Sequence, residues 1–211
     1  MLRSGITRRR IAGALFAAAI IVPLALLAAT RIGHEGGTTS CGDTRLPVKT
    51  LADPAGRALR LGRVQATTIE ALRHLPPRPG GRSSRGAPVE RTVYRVGARL
   101  VAAKVIDEDS DIHLVIADPK SDETMIAELP AFSCTGGATR RARLLMEHAR
   151  SAFLQACGDP GATEYAEYGR AAQATITGVG FFDFLHGQRG VAPNAIELHP
   201  VIGFAGRCPQ P

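Results

Sequence analysis

TVYRVGARLVAAKVI, residues Thr92 to Ile106, is the stretch on which the fold turns. Val93, Arg95, Gly97 and Arg99 alternate with Tyr94, Val96, Ala98 and Leu100, the two-residue period of a strand with a wet and a buried face. The segment then becomes apolar. A strand this long with Gly97 inside it is expected to bend. Asp107 to Ser110 makes a turn into a second strand, Asp111 to Asp118 (DIHLVIAD). Ile112, Leu114 and Ile116 lie on one of its faces, and Asp111, His113, Val115 and Ala117 on the other. Pro119 to Glu123 turns again, and Thr124 to Leu129 (TMIAEL) reads as a third strand.

Thr139 to Cys157 predicts the clearest helix. Its apolar stripe is Ala142, Leu145, Ala149, Phe153, Ala156 and Cys157, and Gly158 stops it. Ala174 to Phe184 and Ala195 to Phe204 are the fourth and fifth strands. In the fifth, Ile196, Leu198 and Ile202 point inward, while Glu197 and His199 occupy the opposite face, read as solvated. The expected fold is mainly β with one long helix (α+β), in the order β-β-β-α-β-β over residues 89–208. That is the order of the oligonucleotide/oligosaccharide-binding (OB) barrel, a five-stranded antiparallel barrel whose first strand pairs at both ends. An α+β sheet covered by one helix uses the same elements and stays open.

Upstream of that domain, residues 46–75 read as a small N-terminal unit. Pro47 to Leu51 looks extended, and Thr67 to Glu70 fits a capping box before a short helix. Residues 76–88 (PPRPGGRSSRGAP) hold 4 Pro, 3 Gly and 3 Arg and predict an exposed linker. Residues 31–45 read as a tether. Residues 1–30 read as a signal-anchor: Ile11 to Ala29 is an uncharged run of 19 residues behind Arg8, Arg9 and Arg10. At about 1.5 Å per residue it spans roughly 28 Å, close to a hydrocarbon core. Arginines before the span orient residues 31–211 outside the cytoplasm, in the periplasm or at the cell surface. Secretion after cleavage is the alternative.

The chain has 211 residues, 45% hydrophobic and 21% charged, which excludes whole-chain disorder, collagen and coiled coil. Its net charge is +7, of which four units are Arg3, Arg8, Arg9 and Arg10, leaving +3 for residues 31–211. Nucleic acid is therefore not the expected partner. The partners expected are a membrane, through residues 11–29, and a small molecule, glycan or envelope protein. Cys41, Cys134, Cys157 and Cys208 all follow the apolar run, with no C-x-x-C pair, as suits two disulfides in an oxidising compartment. The spacing leaves three pairings; Cys41–Cys208 with Cys134–Cys157 is the one expected.

Two segments carry chemistry. Asp107 to Asp111 places four carboxylates in five residues, followed by His113. It reads as a polar hairpin turn, with cation binding as the functional alternative, although Ile112 stands where a calcium loop needs Gly. The second segment, Gly178 to Val201, surrounds Phe181, Phe182 and Phe184 with Asp183, His186, Gln188, Arg189 and Asn194. In an OB barrel this loop and the first hairpin flank one ligand face. Together they assemble Asp111, His113, Asp183, His186, Glu197 and His199. No catalytic residue and no cofactor are assigned, a divalent metal being the alternative.

GVGFFDFLHGQRGVAPNAIELHPV, with DSDIHLVIAD earlier, resembles a group of uncharacterised exported or membrane-anchored bacterial proteins of actinobacterial type. The resemblance covers about residues 48–204 and implies export without a substrate. The expectation is thus an exported, membrane-anchored OB-like binding module of unassigned ligand. The alternative is a metal-dependent hydrolase of phosphodiesters or glycans using the His/carboxylate set.

Overall fold

The stretch at 92–106 folds as one strand, Val93–Val105, here β2, preceded by a short β1 at Val64–Ala66. The structure, a computed structural model, describes residues 40–42, 45–78 and 84–209. The expected membrane segment, residues 11–29, lies outside them. Among the described residues no helix is long and apolar enough to cross a membrane. The remaining strands are β3 (Ile112–Ala117), β4 (Thr124–Leu129), β5 (Ala166–Glu167), β6 (Gln173–Phe182) and β7 (Ile196–Arg207). The helices are α1 (Leu46–Lys49), α2 (Pro54–Arg57), α3 (Ile69–Arg73) and α4 (Arg140–Cys157).

Five strands close a barrel in the order β2-β3-β4-β7-β6, and β6 returns to β2. The fold is therefore mainly β with a closed five-stranded barrel, which fits the OB-like expectation. Closure rests on β2: residues 93–99 pair with β6 and residues 99–105 with β3. The change of partner coincides with a register shift between Leu100 and Ala102. The bend thus falls three residues after Gly97, where a bulge increases local twist. One expectation needs correcting: β4 and β7 pair in parallel, so the barrel is not wholly antiparallel. The helical crossover between β4 and β6 brings β7 back alongside β4 in the same direction.

Inward-facing residues fill the barrel: Val96 and Leu100 from β2, Ile112, Leu114 and Ile116 from β3, Met125 from β4, and Leu198 from β7. The Thr139 side chain caps α4 by accepting from Ala142 N–H, the arrangement expected of a Thr before a helix. Phe153 enters the main core edge-on to Phe204, with ring centroids 5.5 Å apart. Leu145, expected beside it, packs instead with a second cluster around Leu51, Val93, Val179 and Ile202.

Residues 46–75 pack onto the barrel. β1 runs parallel to the start of β2, and Ile69 and Leu72 of α3 enter the main core. Pro47 to Leu51, expected extended, carries α1, with Pro47 in the first turn, where its missing N–H costs nothing. Parts of the expected tether and linker are buried. Arg45 is 8% exposed and pairs with Glu90 at 3.0 Å; Arg85 is 3% exposed and bonds Asp53 at 2.9 Å. Each guanidinium has a buried carboxylate partner, which lets a polar segment enter the interior.

The disulfides are Cys41–Cys134 and Cys157–Cys208, not the expected pairs. The helix runs from Arg140 to Cys157. β7 continues to Arg207, so the chain after it reaches the C-terminal end of α4 and Cys208 meets Cys157.

Candidate functional site

Strand parity builds the site. Because Ile112 and Leu114 face into the barrel, His113 must project from the outer side of β3. Antiparallel register places His113 opposite Glu128 of β4, and the parallel β4–β7 pairing aligns Ile126 with Glu197. The outer wall β3-β4-β7 thus gathers His113, Glu128, Glu197 and His199, and Asp111 joins them from the β2–β3 hairpin. The face expected to be solvated is dry: exposure is 3% for His113, Glu197 and Asp111, and zero for His199.

Loop 183–195 lies over this wall. Gly190, at φ +83°, passes so close to β3 that a Cβ there would meet a Val115 methyl at 2.5 Å. Only glycine tolerates both the positive φ and the approach. The loop's Arg189 carbonyl, 3.0 Å away, accepts from His113 Nε2. On the other side Arg45 stacks over the Phe181 ring at 4.2 Å, and Phe181 packs against His199 with centroids 5.2 Å apart.

Within the cluster each imidazole nitrogen faces an acceptor. His113 Nδ1 is 3.1 Å from Glu128 Oε1, and His199 Nδ1 is 3.0 Å from Glu128 Oε2 and 3.2 Å from Glu197 Oε1. His199 Nε2 lies 3.2 Å from Asp111 Oδ2 yet has no well-formed hydrogen bond. Asp111 is itself oriented by Ala131 N–H, which donates to Oδ1 at 3.0 Å.

This arrangement moves the protons. Burial opposes charge on both histidines, but Glu128 outweighs it and raises both, with Asp111 and Glu197 assisting at His199. Burial alone would raise Glu128; the charge of His199 and the bonds from both imidazoles hold it low instead. Burial, then the negative charge of Glu128, pushes Glu197 up to about 7. At Lys49, burial is outweighed by Glu128 and Asp109, so its ammonium is strengthened.

Above the cluster opens a cleft of about 720 Å³. The β2–β3 hairpin supplies Glu108 and Asp109, loop 183–195 supplies Asp183, Phe184, His186 and Gln188, and His113 and Glu128 form the floor. Tyr165, Lys104 and Lys49 of α1 also line it, Lys49 pairing with Asp109 at 3.0 Å. The two sequence segments therefore share one cavity. Four expected residues, Asp111, His113, Glu197 and His199, converge in the buried cluster. His186 and Asp183 sit together at the rim instead, 3.8 Å apart. Gln188 lines the cleft while bracing its own loop through His186 N–H and the Phe184 carbonyl.

Two expected ligand residues are occupied otherwise. Asn194, 6% exposed, donates to the Leu72 and Leu75 carbonyls and tethers the loop to α3. The Arg189 side chain pairs with Glu167 and stacks on Tyr165, leaving the acidic turn to Lys49. Glu128 was not foreseen: TMIAEL reads as an ordinary strand, and only its parity with His113 hints at a role. Lys49 was missed because its segment was read as extended. No protein-family model, no curated protein and no solved structure matches the chain.

Proposed function

We propose that the chain is an exported binding module of the OB type, anchored through residues 11–29, whose ligand occupies the cleft over the β3–β4 wall. The observation that carries this reading is that the 106–111 hairpin and the 183–195 loop, far apart in sequence, line one cavity. OB barrels use these two loops and this strand face for ligands. Two disulfides among four cysteines suit an oxidising compartment. The lining sets the carboxylates of Glu108, Asp109, Glu128 and Asp183 against Lys49 and Lys104, with Tyr165 and Phe184 as apolar surfaces. That mixture suits an uncharged polyhydroxyl ligand, a glycan.

The test is thermal unfolding of the full chain against oligosaccharides, peptides and nucleic acids. A ligand at a hundred times its dissociation constant stabilises by about 2.7 kcal/mol, a shift easily read. We expect it with an oligosaccharide, and we expect it to vanish in Phe184→Ala. Silence across the panel, or a shift with nucleic acid alone, overturns the reading.

A second reading, a metal-dependent hydrolase of glycan or phosphodiester bonds, is favoured by the convergence of His113, His199, Asp111, Glu128 and Glu197. Release of cleaved product from a glycan or a phosphodiester by the full chain separates it from simple binding.

A further inference from the structure

We propose that Asp111, Glu128 and His199 form a site for one divalent first-row transition-metal ion beneath the cleft floor. The inference rests on the second reading above and supplies the ion which that reading lacks. Each residue offers one ligand atom, and the three atoms lie within 4.8 Å of one another. Ligands about 2.0–2.2 Å from a common ion fall naturally within such a spread.

The second observation is His199 itself. It is fully buried, and its Nε2, although 3.2 Å from Asp111 Oδ2, is out of line with it and makes no hydrogen bond. A buried polar atom left without a partner is costly, and ligation removes the cost. The surroundings already resemble those of ligands held in place. Ala131 N–H fixes Asp111, and His113 holds the other oxygen of Glu128 while its own Nε2 bonds the Arg189 carbonyl. Such outer partners orient metal ligands and govern affinity.

The class of ion follows from the donors. One imidazole with two carboxylates fits zinc or manganese, whereas calcium wants six to eight oxygens. The acidic hairpin does not supply them, since Asp109 turns to Lys49 and Asp111 turns inward to Ala131 and His199. Three protein ligands leave a coordination position for water or substrate, as in catalytic rather than structural zinc sites. Glu128 belongs both to the trio and to the cleft lining, which gives the ion a way in.

The test is calorimetry on the untagged full chain, stripped with a chelator and titrated separately with Zn²⁺, Mn²⁺, Ca²⁺ and Mg²⁺. We expect one Zn²⁺ or Mn²⁺ per chain, and no comparable binding of Ca²⁺ or Mg²⁺. Loss of an outer partner alone costs about 10–100-fold in affinity. Asp111→Asn, Glu128→Gln and His199→Gln should therefore each weaken binding by ~100-fold or more. His74→Gln and His148→Gln, on exposed histidines outside the cleft, should leave it unchanged. X-ray absorption on the loaded wild type guards against variants that fail to fold. It should report a single imidazole, otherwise oxygen ligands, and no sulfur. No binding of either transition metal, an unaltered affinity in folded Asp111→Asn or Glu128→Gln, or a shell with more than one imidazole overturns the site. If an oligosaccharide still shifts the melting of metal-stripped protein that binds no zinc, the metal inference falls while the binding-module reading stands.

Discussion

The two faces of β3 are equally dry and chemically opposite. Ile112, Leu114 and Ile116 project into the barrel, none with measurable exposure, and on the outer side His113 is 3% and Val115 2% exposed. The inner set needs no explanation beyond packing: apolar burial is the main favourable term in folding, and any well-shaped aliphatic set would serve. The outer set cannot be explained that way. Removing ions from water costs several kcal/mol each, and apolar residues in their place are often as stable or more so. A fold that keeps three carboxylates and two imidazoles dry beside an open cleft accepts a concentrated cost there. The inside of this wall builds the protein, and the outside is where its chemistry belongs.

Breaking the inner side should do the most damage. Phe153→Ala removes the α4 side chain that meets Phe204 and should destabilise by about 3–5 kcal/mol in denaturant unfolding. Ligand binding by the fraction still folded should be unaltered. Next comes the outer side. In metal-free protein, Glu128→Gln strands the two imidazoles it bridges and should cost about 3 kcal/mol, near the lower bound for uncoupling a buried pair because the amide still accepts a bond. Equal tolerance of Gln and Glu would mean that the outer face is merely polar.

A pH series sharpens the contrast, since only the outer face titrates. The fold favours neutral Glu197, whose pKa is about 7. Its contribution is complete below the unfolded carboxylate value and is lost as pH rises through 7. His113 and His199, raised above their ordinary value, also contribute fully at low pH and lose that contribution as pH climbs past their folded values. Glu128 runs the other way, stabilising above its unfolded value and failing in acid. The melting temperature of metal-free protein should therefore peak in mildly acid buffer and decline through pH 7, and Glu197→Gln should flatten the decline. The smallest effect belongs to the loop's outer surface. Arg189→Ala breaks an exposed pair with Glu167 and should cost less than about 1 kcal/mol, because the Arg189 carbonyl that serves His113 is retained.

The barrel was legible because its determinants are local. Alternation at 92–106, 111–118 and 195–204 declares strands, and the Thr139 cap with the Ala142, Ala149, Phe153 stripe declares the helix between them. The site was half legible for the complementary reason. Asp111, His113, Glu197 and His199 stand out as polar residues within strands. Glu128 becomes their neighbour only through the register that sets it opposite His113, and one sequence does not encode register visibly. Burial of the wall was hidden too. It depends on residues 45–49, whose Arg45 and Lys49 look solvated until their carboxylate partners are known. The disulfide pairing was hidden similarly: cysteine spacing leaves three pairings, and the length of β7 decides where Cys208 arrives.

The short strands β1 and β5 have a consequence out of proportion to their size. Because β2 exchanges partners midway, each half of it would leave one flank bare. β1 runs along the first half, opposite β6, and β5 along the second, opposite β3. Among the described residues, the seams that remain on that side are three and two residues long, too brief to template another chain's backbone. Along β2 a visiting polypeptide therefore finds little main chain to zip onto, and recognition on that flank falls to side chains.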